Sequence, residues 1–491
     1  MHDVDSKAAG ARRAVPWIAP LSLLLFALSG CTVGPNYVRP RTPVASQFAA
    51  AEPDVYSSER AQIAFWRQFD DPILERLVGD ALTANYSLRI ALGRLVQARA
   101  LRDQSRFNLA PTVTASAGYT RQRAAAAQDP FGGVPYTTRY YAAGFDATWE
   151  LDFFGGVRRG LEARNAALER QVANLHDAQV SVIAAVARNY FELRGGQAEL
   201  AVARANARNQ RQALALTRAE LAAGSGTEFD VARARAQLST TLAGIGPLEA
   251  AVARSIHRLS VLIGRHPDAL TGLLSKPRRL PPLPRIIPVG SPEQMLSRRP
   301  DIRAAELNLA ESTDLVGVAI ANLFPKVTFT GSIGYDALSP AGLGVGGSRS
   351  YLIGPGISWA AFDLGRVREQ IAGARAGEVV ALYEYRQTVL NALEQTEDAL
   401  VTHTRDLDQL RHAEEAARAS ALAAHLATIR YRGGLIGFLP VLDAERTELQ
   451  AEDALARDRT AAATSLIAVY QALGGGWEVA PLPRYTADAS R

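Results

Sequence analysis

Cysteine is almost missing from this chain: Cys31 is the only one among 491 residues. A disulfide framework and any CxxC zinc or redox motif are therefore excluded. Methionine is nearly as scarce, with two residues, too few for a soft-metal relay. Lysine is also rare, since only Lys7, Lys276 and Lys326 contribute to the 54 basic residues. The arginines are spread evenly among acids, with no basic block of five or more, which argues against a nucleic-acid partner. Beyond the first 30 residues no run of 18 uninterrupted apolar residues occurs, so a transmembrane helix is not expected there. With 48% hydrophobic and 21% charged residues the composition is ordinary, which excludes disordered and collagen-like classes.

The N-terminus reads as an address. Lys7, Arg12 and Arg13 precede an apolar run from Trp17 to Ser29, which ends in Leu28-Ser29-Gly30-Cys31. That run is too short to span a bilayer and has the layout of a signal peptide. Leu-Ser-Gly-Cys resembles a bacterial lipobox, which implies cleavage before Cys31 and lipidation of its thiol. Thr32 comes next in place of Asp, which by the same analogy favours sorting to the outer membrane. The chain then starts at Cys31 with a formal charge of +4, because residues 1–30 carry three basic and two acidic residues against a total of +5.

The rest of the chain is one unit written twice. Asn108-Leu109-Ala110-Pro111 recurs as Asn322-Leu323-Phe324-Pro325. Trp149, Gly155 and Val157-Arg158 recur 210 positions later as Trp359, Gly365 and Val367-Arg368, and Ala234 and Gly264 return as Ala444 and Gly474. Each half has a helical pattern (Ile73 to Asn108; Ile302 to Leu323), a strand pair, a very long helix, a glycine turn and a returning helix. The expected divisions are a signal peptide at 1–30, an extended lipidated leader at 31–64 and a first repeat at 65–264. A connector at 265–300, whose eight prolines mark it as linker and not core, precedes a second repeat at 301–476 and a polar tail at 477–491.

Four runs alternate with period two, placing strands at about 112–122, 139–150, 326–336 and 350–360. In the first, Val113, Ala115, Ala117 and Tyr119 face one side and Thr112, Thr114, Ser116 and Gly118 the other. Val327, Phe329, Ile333 and Tyr335 oppose Thr328, Thr330, Ser332 and Gly334 in the third. About ten residues of apolar-out, polar-in alternation with aromatic ends (Tyr119, Trp149, Tyr335, Trp359) fit a membrane barrel strand. A one-sided soluble sheet has the same alternation; the lipoprotein address favours the barrel.

Helices are expected at about 157–222 and 228–264, and at about 366–432 and 438–474. A proline-free helix of about 66 residues would extend about 100 Å at 1.5 Å per residue. Leu393, Leu400 and Leu407 are seven apart, as are Leu382 and Val389, which fits a coiled-coil seam. Gly195-Gly196 suggests an irregularity midway along the first helix. Four strands cannot close a barrel, and an open edge cannot sit in lipid, so several chains must combine to give eight, twelve or sixteen strands.

These residues resemble TolC-like outer-membrane efflux channels, the NodT-type lipoprotein branch. The matching strings are Cys31-Thr-Val-Gly-Pro-Asn-Tyr-Val-Arg-Pro40, Phe65-Trp66 with Phe69 to Pro72, and Arg298-Arg-Pro-Asp-Ile-Arg-Ala-Ala-Glu306. The resemblance implies an α+β membrane protein: a homotrimer whose twelve-stranded transmembrane β-barrel, four strands per chain, continues as a periplasmic α-helical barrel. It implies docking to a periplasmic adaptor protein and a proton-driven inner-membrane pump of the resistance-nodulation-division class, with passive export of drugs or other small toxic compounds. A type I protein secretion duct and a non-pore structural lipoprotein are the alternatives; the lipobox and the Arg298 string favour efflux over the first, the four strands over the second.

No constellation supports an enzyme or a cofactor other than the lipid on Cys31. The histidines (His2, His176, His257, His266, His403, His412, His425) show no metal-ligand spacing, and a lipidated Cys31 leaves no thiol for a Cys–His pair. Gly342-Leu-Gly-Val-Gly-Gly347 fits GxGxxG only formally, since it joins two strands instead of opening a helix; it reads as an extracellular loop matching Phe131-Gly132-Gly133. The candidate site lies at the helical hairpin tips: Gly224, Gly226, Glu228 and Asp230 in the first, and Gly433, Gly434, Leu435, Ile436, Gly437 and Phe438 in the second. Their glycines either serve turns alone or, as the resemblance implies, mark the periplasmic mouth and the adaptor contact. Some relatives carry an acid just after the second glycine; here Ile436 stands in that place, which suggests a hydrophobic constriction gating by dewetting.

Overall fold

The computed structural model describes residues 32–125, 133 and 135–479. Cys31, the segment 126–132 and most of the expected tail lie outside them. In chain order the elements are β1 (Tyr56–Ser57), α1 (Pro72–Ala84), α2 (Tyr86–Phe107), β2 (Thr112–Arg123), β3 (Thr137–Leu151), α3 (Gly156–Ala222), α4 (Glu228–Leu262) and α5 (Thr271–Leu274). The second half continues with β4 (Ile287–Pro288), α6 (Pro292–Arg298), α7 (Pro300–Ala321), β5 (Lys326–Ala337), β6 (Arg349–Ser358), α8 (Leu364–Arg432) and α9 (Phe438–Ala472). Among these described residues no helix is long and apolar enough to cross a membrane.

The chain divides into two compact units. The described residues of the first lie within Met1–Val38, Ala100–Ala166 and Leu309–Val380. It holds a four-stranded antiparallel sheet in the order β2-β3-β5-β6. The register sorts most of its side chains by polarity because successive residues point to opposite faces. One face carries the rows Val113–Ala147–Gly331–Ile353 and Ala115–Phe145–Ile333–Tyr351, then Trp149–Phe329–Pro355 and Leu151–Val327–Ile357. The other carries Thr112–Thr148–Thr330–Gly354 and Thr114–Asp146–Ser332–Leu352, polar but for Leu352, with Ser116 donating to Asp146 at 2.9 Å. Val113, Phe145, Ile333, Ile353 and Ile357 are exposed. An apolar sheet face left open to this degree is foreign to soluble sheets, which cover it.

The repeated anchors prove to be hydrogen-bond partners. Trp149 Nε1 donates to the Leu109 carbonyl at 3.0 Å, and Trp359 Nε1 to the Leu323 carbonyl at 2.9 Å. Each tryptophan thereby ties a strand end to the turn of the Asn-Leu-x-Pro string. Arg159, buried, fixes the first described residues after Cys31: it donates to the carbonyl oxygens of Val33 (3.2 Å) and Gly34 (3.4 Å) and to Asn36 Oδ1 at 2.6 Å. Gly34 has φ +92, and a Cβ there would lie 2.5 Å from Gly317 Cα, so the close backbone crossing requires glycine.

The described residues of the second unit lie within Arg39–Arg99, Ala167–Asn308 and Ala381–Arg491. Its core explains the Phe65-Trp66 string: Phe65 stacks on Tyr470 with centroids 4.8 Å apart, and Phe69 meets Phe191 edge-on at 4.8 Å. Full burial of such side chains contributes about 1.5–3 kcal/mol each. Asp71 opens α1, accepting from Ile73 N at 2.8 Å with Pro72 in the first turn, and Tyr190 OH donates to its other oxygen at 2.5 Å. The Arg298 string closes a helix: Arg298 Nη2 donates to the Leu473 carbonyl at 2.6 Å and Arg299 Nη1 to that of Ala472 at 2.9 Å. These satisfy carbonyls that the end of α9 leaves without helical partners.

Four expectations need correction. The helical pattern from Ile73 to Asn108 is two helices, broken at Asn85, whose side chain caps α2 through Ser87 N at 2.8 Å and donates to the Leu262 carbonyl at 2.8 Å. The proline-rich 265–300 segment is not merely linker: Leu270, Leu274, Ile287, Val289 and Met295 are core residues, and β4 pairs in parallel with β1. The leader is extended but pinned, with Phe48 and Tyr56 buried and the Ala49 and Ala50 amides donating to Glu397 at 2.9 and 2.8 Å. Finally, α3 runs unbroken through Gly195-Gly196. A Cβ on Gly195 would collide with the Thr460 side chain, so this glycine admits a neighbouring helix and does not bend its own.

Val389 and Leu400 of the heptad seam are core residues, with Leu393 packed against them, while Leu382 and Leu407 are half-buried. The Gly342–Gly347 loop joins β5 to β6 through two short 3₁₀ turns. Gly133 is described, but Phe131 and Gly132 lie outside the described residues.

Candidate functional site

The tips join α3 to α4 and α8 to α9, both within the second unit, and they share one backbone plan. Gly224 (φ +75) and Gly434 (φ +70) adopt the left-handed conformation that ends a helix at lowest cost with glycine. Behind them Ser225 N donates to the Glu220 carbonyl and Leu435 N to the Arg430 carbonyl, each at 2.9 Å. Gly226 is required by space, since a Cβ would sit 2.9 Å from Leu221 N.

The side chains differ. Thr227 caps α4, accepting from Asp230 N at 3.2 Å and donating to Asp230 Oδ2 at 2.5 Å, so Asp230 is committed to the cap. Glu228 stands beside it in a first turn that favours negative charge. Gly437 opens α9 with no side-chain cap. There the chain is held by apolar packing: Phe438 is buried with Val441, Leu442, Leu214, Val231 and Ala234, and Ile436 packs partly against this cluster. Leu435 instead projects, 72% exposed. Gly433 and Gly434 are exposed, with nothing within 4 Å of a Cβ at Gly434.

One contact links the hairpins and was missed in the sequence: Tyr431 OH donates to a Glu220 carboxylate oxygen. Burial, then this carboxylate, holds the Tyr431 phenol above its ordinary range. The repeat placed them near each other but not in register: the 210-residue offset makes Arg430 the counterpart of Glu220, and Tyr431 stands one position beyond it. A cavity between α3, α8 and α9 lies beside them, lined by Gln210, His425, Tyr431, Phe438, Glu445 and Glu448. Burial and then Glu448 push the Glu445 carboxyl up; burial and then Glu452 do the same to Glu448. Among the described residues, no group of three or more His, Cys, Asp or Glu is placed to hold a metal. His403 is a packing residue, with Nδ1 3.0 Å from Ser465 Oγ, and burial pushes it down to about 4. His176 stacks on Trp477 at 4.3 Å.

A sheet with one apolar and one polar face and very long helical hairpins, one of them with an apolar tip, define a channel-forming class of protein. The family model for the outer membrane efflux protein matches residues 77–265 and 291–475, one segment per repeat. Nodulation protein T of Rhizobium leguminosarum bv. trifolii is 31% identical over 436 residues, covering 88% of this chain and 91% of the relative. The toluene efflux pump outer membrane protein TtgC of Pseudomonas putida is 31% identical over 464 residues, covering 93% and 95%. Among solved structures, the outer-membrane channel OprN superposes with a TM-score of 0.86 at 42% identity, covering 91% of this chain and all of that one. The open state of the Neisseria gonorrhoeae MtrE outer membrane channel gives 0.79 at 29% identity, covering 91% and 99%.

The chain belongs to the outer membrane efflux protein family. It is an outer-membrane efflux channel.

Proposed function

We propose that this chain is the exit duct of a tripartite efflux system, passively carrying drugs or other small toxic compounds from the periplasm to the outside. The observation that carries this reading is the face-split sheet with two open edges. β2 and β6 run in opposite directions, so joining β6 of one copy to β2 of the next extends the antiparallel order. Closure removes every edge, which hydrocarbon demands. The family resemblance favours three copies, giving a twelve-stranded barrel with the threonine face as lumen and the valine-isoleucine face toward lipid, continued by an α-helical barrel. Lipidation of Cys31 would anchor each chain beside the barrel. A periplasmic adaptor protein and an inner-membrane resistance-nodulation-division pump are the partners this reading requires, and the tips are where they would meet it.

The gate in this reading is the second tip. Leu435 supplies the apolar surface and Ile436 seats it on the Phe438 cluster. A ring of such side chains excludes water and closes a pore by dewetting.

Detergent-extracted protein should have the mass of a trimer and conduct in planar bilayers; a conducting monomer would overturn the proposal. Phe329→Arg, on the apolar face, should block insertion at a cost of about 2–4 kcal/mol near the midplane. Thr330→Arg, on the polar face, should insert. Leu435→Asp should raise resting conductance, with Ile436→Asp weaker because Ile436 is half-packed, and divalent cations should block both variants and not the wild type. Unchanged conductance in correctly assembled variants would show that these residues serve only the turn.

A further inference from the structure

Charge on the apolar sheet face is confined to one end. At the end where the strands meet the helices, that face carries Trp149, Leu151, Val327, Phe329 and Ile357, and the charged neighbours Glu150 and Lys326 fall on the polar face. At the loop end the same face carries Tyr119, Tyr141, Tyr335 and Tyr351, with the Tyr119 and Tyr141 rings 4.9 Å apart. Two residues beyond three of these tyrosines, toward the loops, stand Arg121, Arg139 and Arg349 on that face. Arg121 lies directly opposite Arg139 in the β2–β3 register, and all three are exposed.

Two guanidinium groups on cross-strand neighbours, with Cβ atoms about 4.5–5.5 Å apart, repel and destabilise the pair. Snorkelling explains how an arginine at a membrane boundary reaches water. It does not explain why basic residues are absent from the opposite boundary. An anion shared between the two guanidiniums removes the repulsion, and the planar fork of arginine suits phosphate, which it binds in bidentate fashion.

We propose that the loop end of this face binds phosphate-bearing lipid headgroups through Arg121, Arg139 and Arg349, with the tyrosine row against the sugar and acyl boundary beneath. The inference rests on the reading that the sheet closes into a lipid-embedded barrel. The ligand is a lipid of the leaflet on the loop side, because the arginines flank a surface otherwise built for hydrocarbon. The girdle fixes the depth of the barrel and gives it a preferred leaflet.

The test reconstitutes the full-length protein in phosphatidylcholine vesicles with or without lipid A, reading thermal dissociation of the oligomer and the lipid retained after extraction. Lipid A should raise the dissociation temperature, and dephosphorylated lipid A should not. The triple variant Arg121→Gln, Arg139→Gln, Arg349→Gln should retain lipid A about tenfold more weakly. Lys326→Gln, on the polar face, should retain it like the wild type. Equal stabilisation by dephosphorylated lipid A, or by inorganic phosphate alone, would overturn the proposal, and the wild-type comparison decides even if the triple variant fails to insert. Conductance separates the two readings: a conducting wild type indifferent to lipid phosphate defeats the girdle alone, whereas failure to form any conducting oligomer defeats the channel reading beneath it.

Discussion

The two hairpin tips are the same turn with opposite chemistry. Gly224 and Gly434 occupy the left-handed position after equivalent long helices, and Gly264 (φ +70) and Gly474 (φ +68) repeat it after the returning helices. The first tip is then closed by a polar cap, Thr227 with Asp230, whereas the second has no side-chain cap and rests on buried Phe438. The ends of the returning helices differ likewise. The last turn of α4 gives its Leu262 carbonyl to the neutral amide of Asn85, while that of α9 is held by two guanidiniums. Duplication preserved the backbone punctuation, because only glycine takes those φ values cheaply. It left the side chains between the glycines free to diverge, and the second tip became the apolar one.

Unequal responses to matched substitutions should sharpen this contrast. The largest effects belong to the second half. Phe438→Ala should cost about 3–5 kcal/mol of local stability, as buried aromatic truncations do, while Phe229→Ala, exposed at the first tip, should cost under about 1 kcal/mol. Hydrogen exchange at each tip checks this, and equal loss of protection would break the comparison. At the helix ends, Arg299→Ala should lower the denaturation midpoint more than Asn85→Ala. Its removal strands the Ala472 carbonyl and leaves Asp301, held at 2.6 Å and half-buried, without this partner. The cost should stay below that of a fully buried pair, about 3–5 kcal/mol, yet exceed that of neutral groups. Asn85→Ala loses only neutral hydrogen bonds, the one to the Leu262 carbonyl and the α2 cap, at about 1–3 kcal/mol.

Smaller effects are expected at the caps. Thr227→Ala should destabilise α4 by about 1 kcal/mol, and Gly437→Ser should stabilise α9 by a few tenths of that or more, read as local exchange rates. The smallest effect is a pH response near the tips. The Glu445 and Glu448 carboxyls have folded values above their unfolded ones. Such groups favour the folded state below the unfolded carboxylate range, and that contribution is lost as pH rises through the folded values. Glu445→Gln should therefore raise the thermal midpoint at neutral pH, flatten its dependence above the carboxylate range and change nothing at low pH. An unchanged slope would mean that the cavity does not desolvate this carboxyl.

The sequence by itself determined the local elements and their repetition. Period-two alternation located β2, β3, β5 and β6, because a pleated strand with unlike faces must alternate whatever surrounds it. The long helices were legible from proline-free stretches ended by glycine, since φ restrictions are properties of single residues. The 210-residue offset carried the positions of both tips. Tertiary structure decided everything that depends on a distant partner. Gly195-Gly196 looked like a defect until Thr460 was placed against it. The prolines of 265–300 signalled linker, yet Leu270, Leu274 and Met295 find a core supplied by helices far away in sequence. Arg298 and Arg299 were recognisable as a motif but not as caps for a helix ending more than 170 residues later. At the second tip the glycine run marked the turn, but which of Leu435 and Ile436 projects was settled only by the cluster around Phe438, because burial belongs to the assembly of helices and not to any one of them.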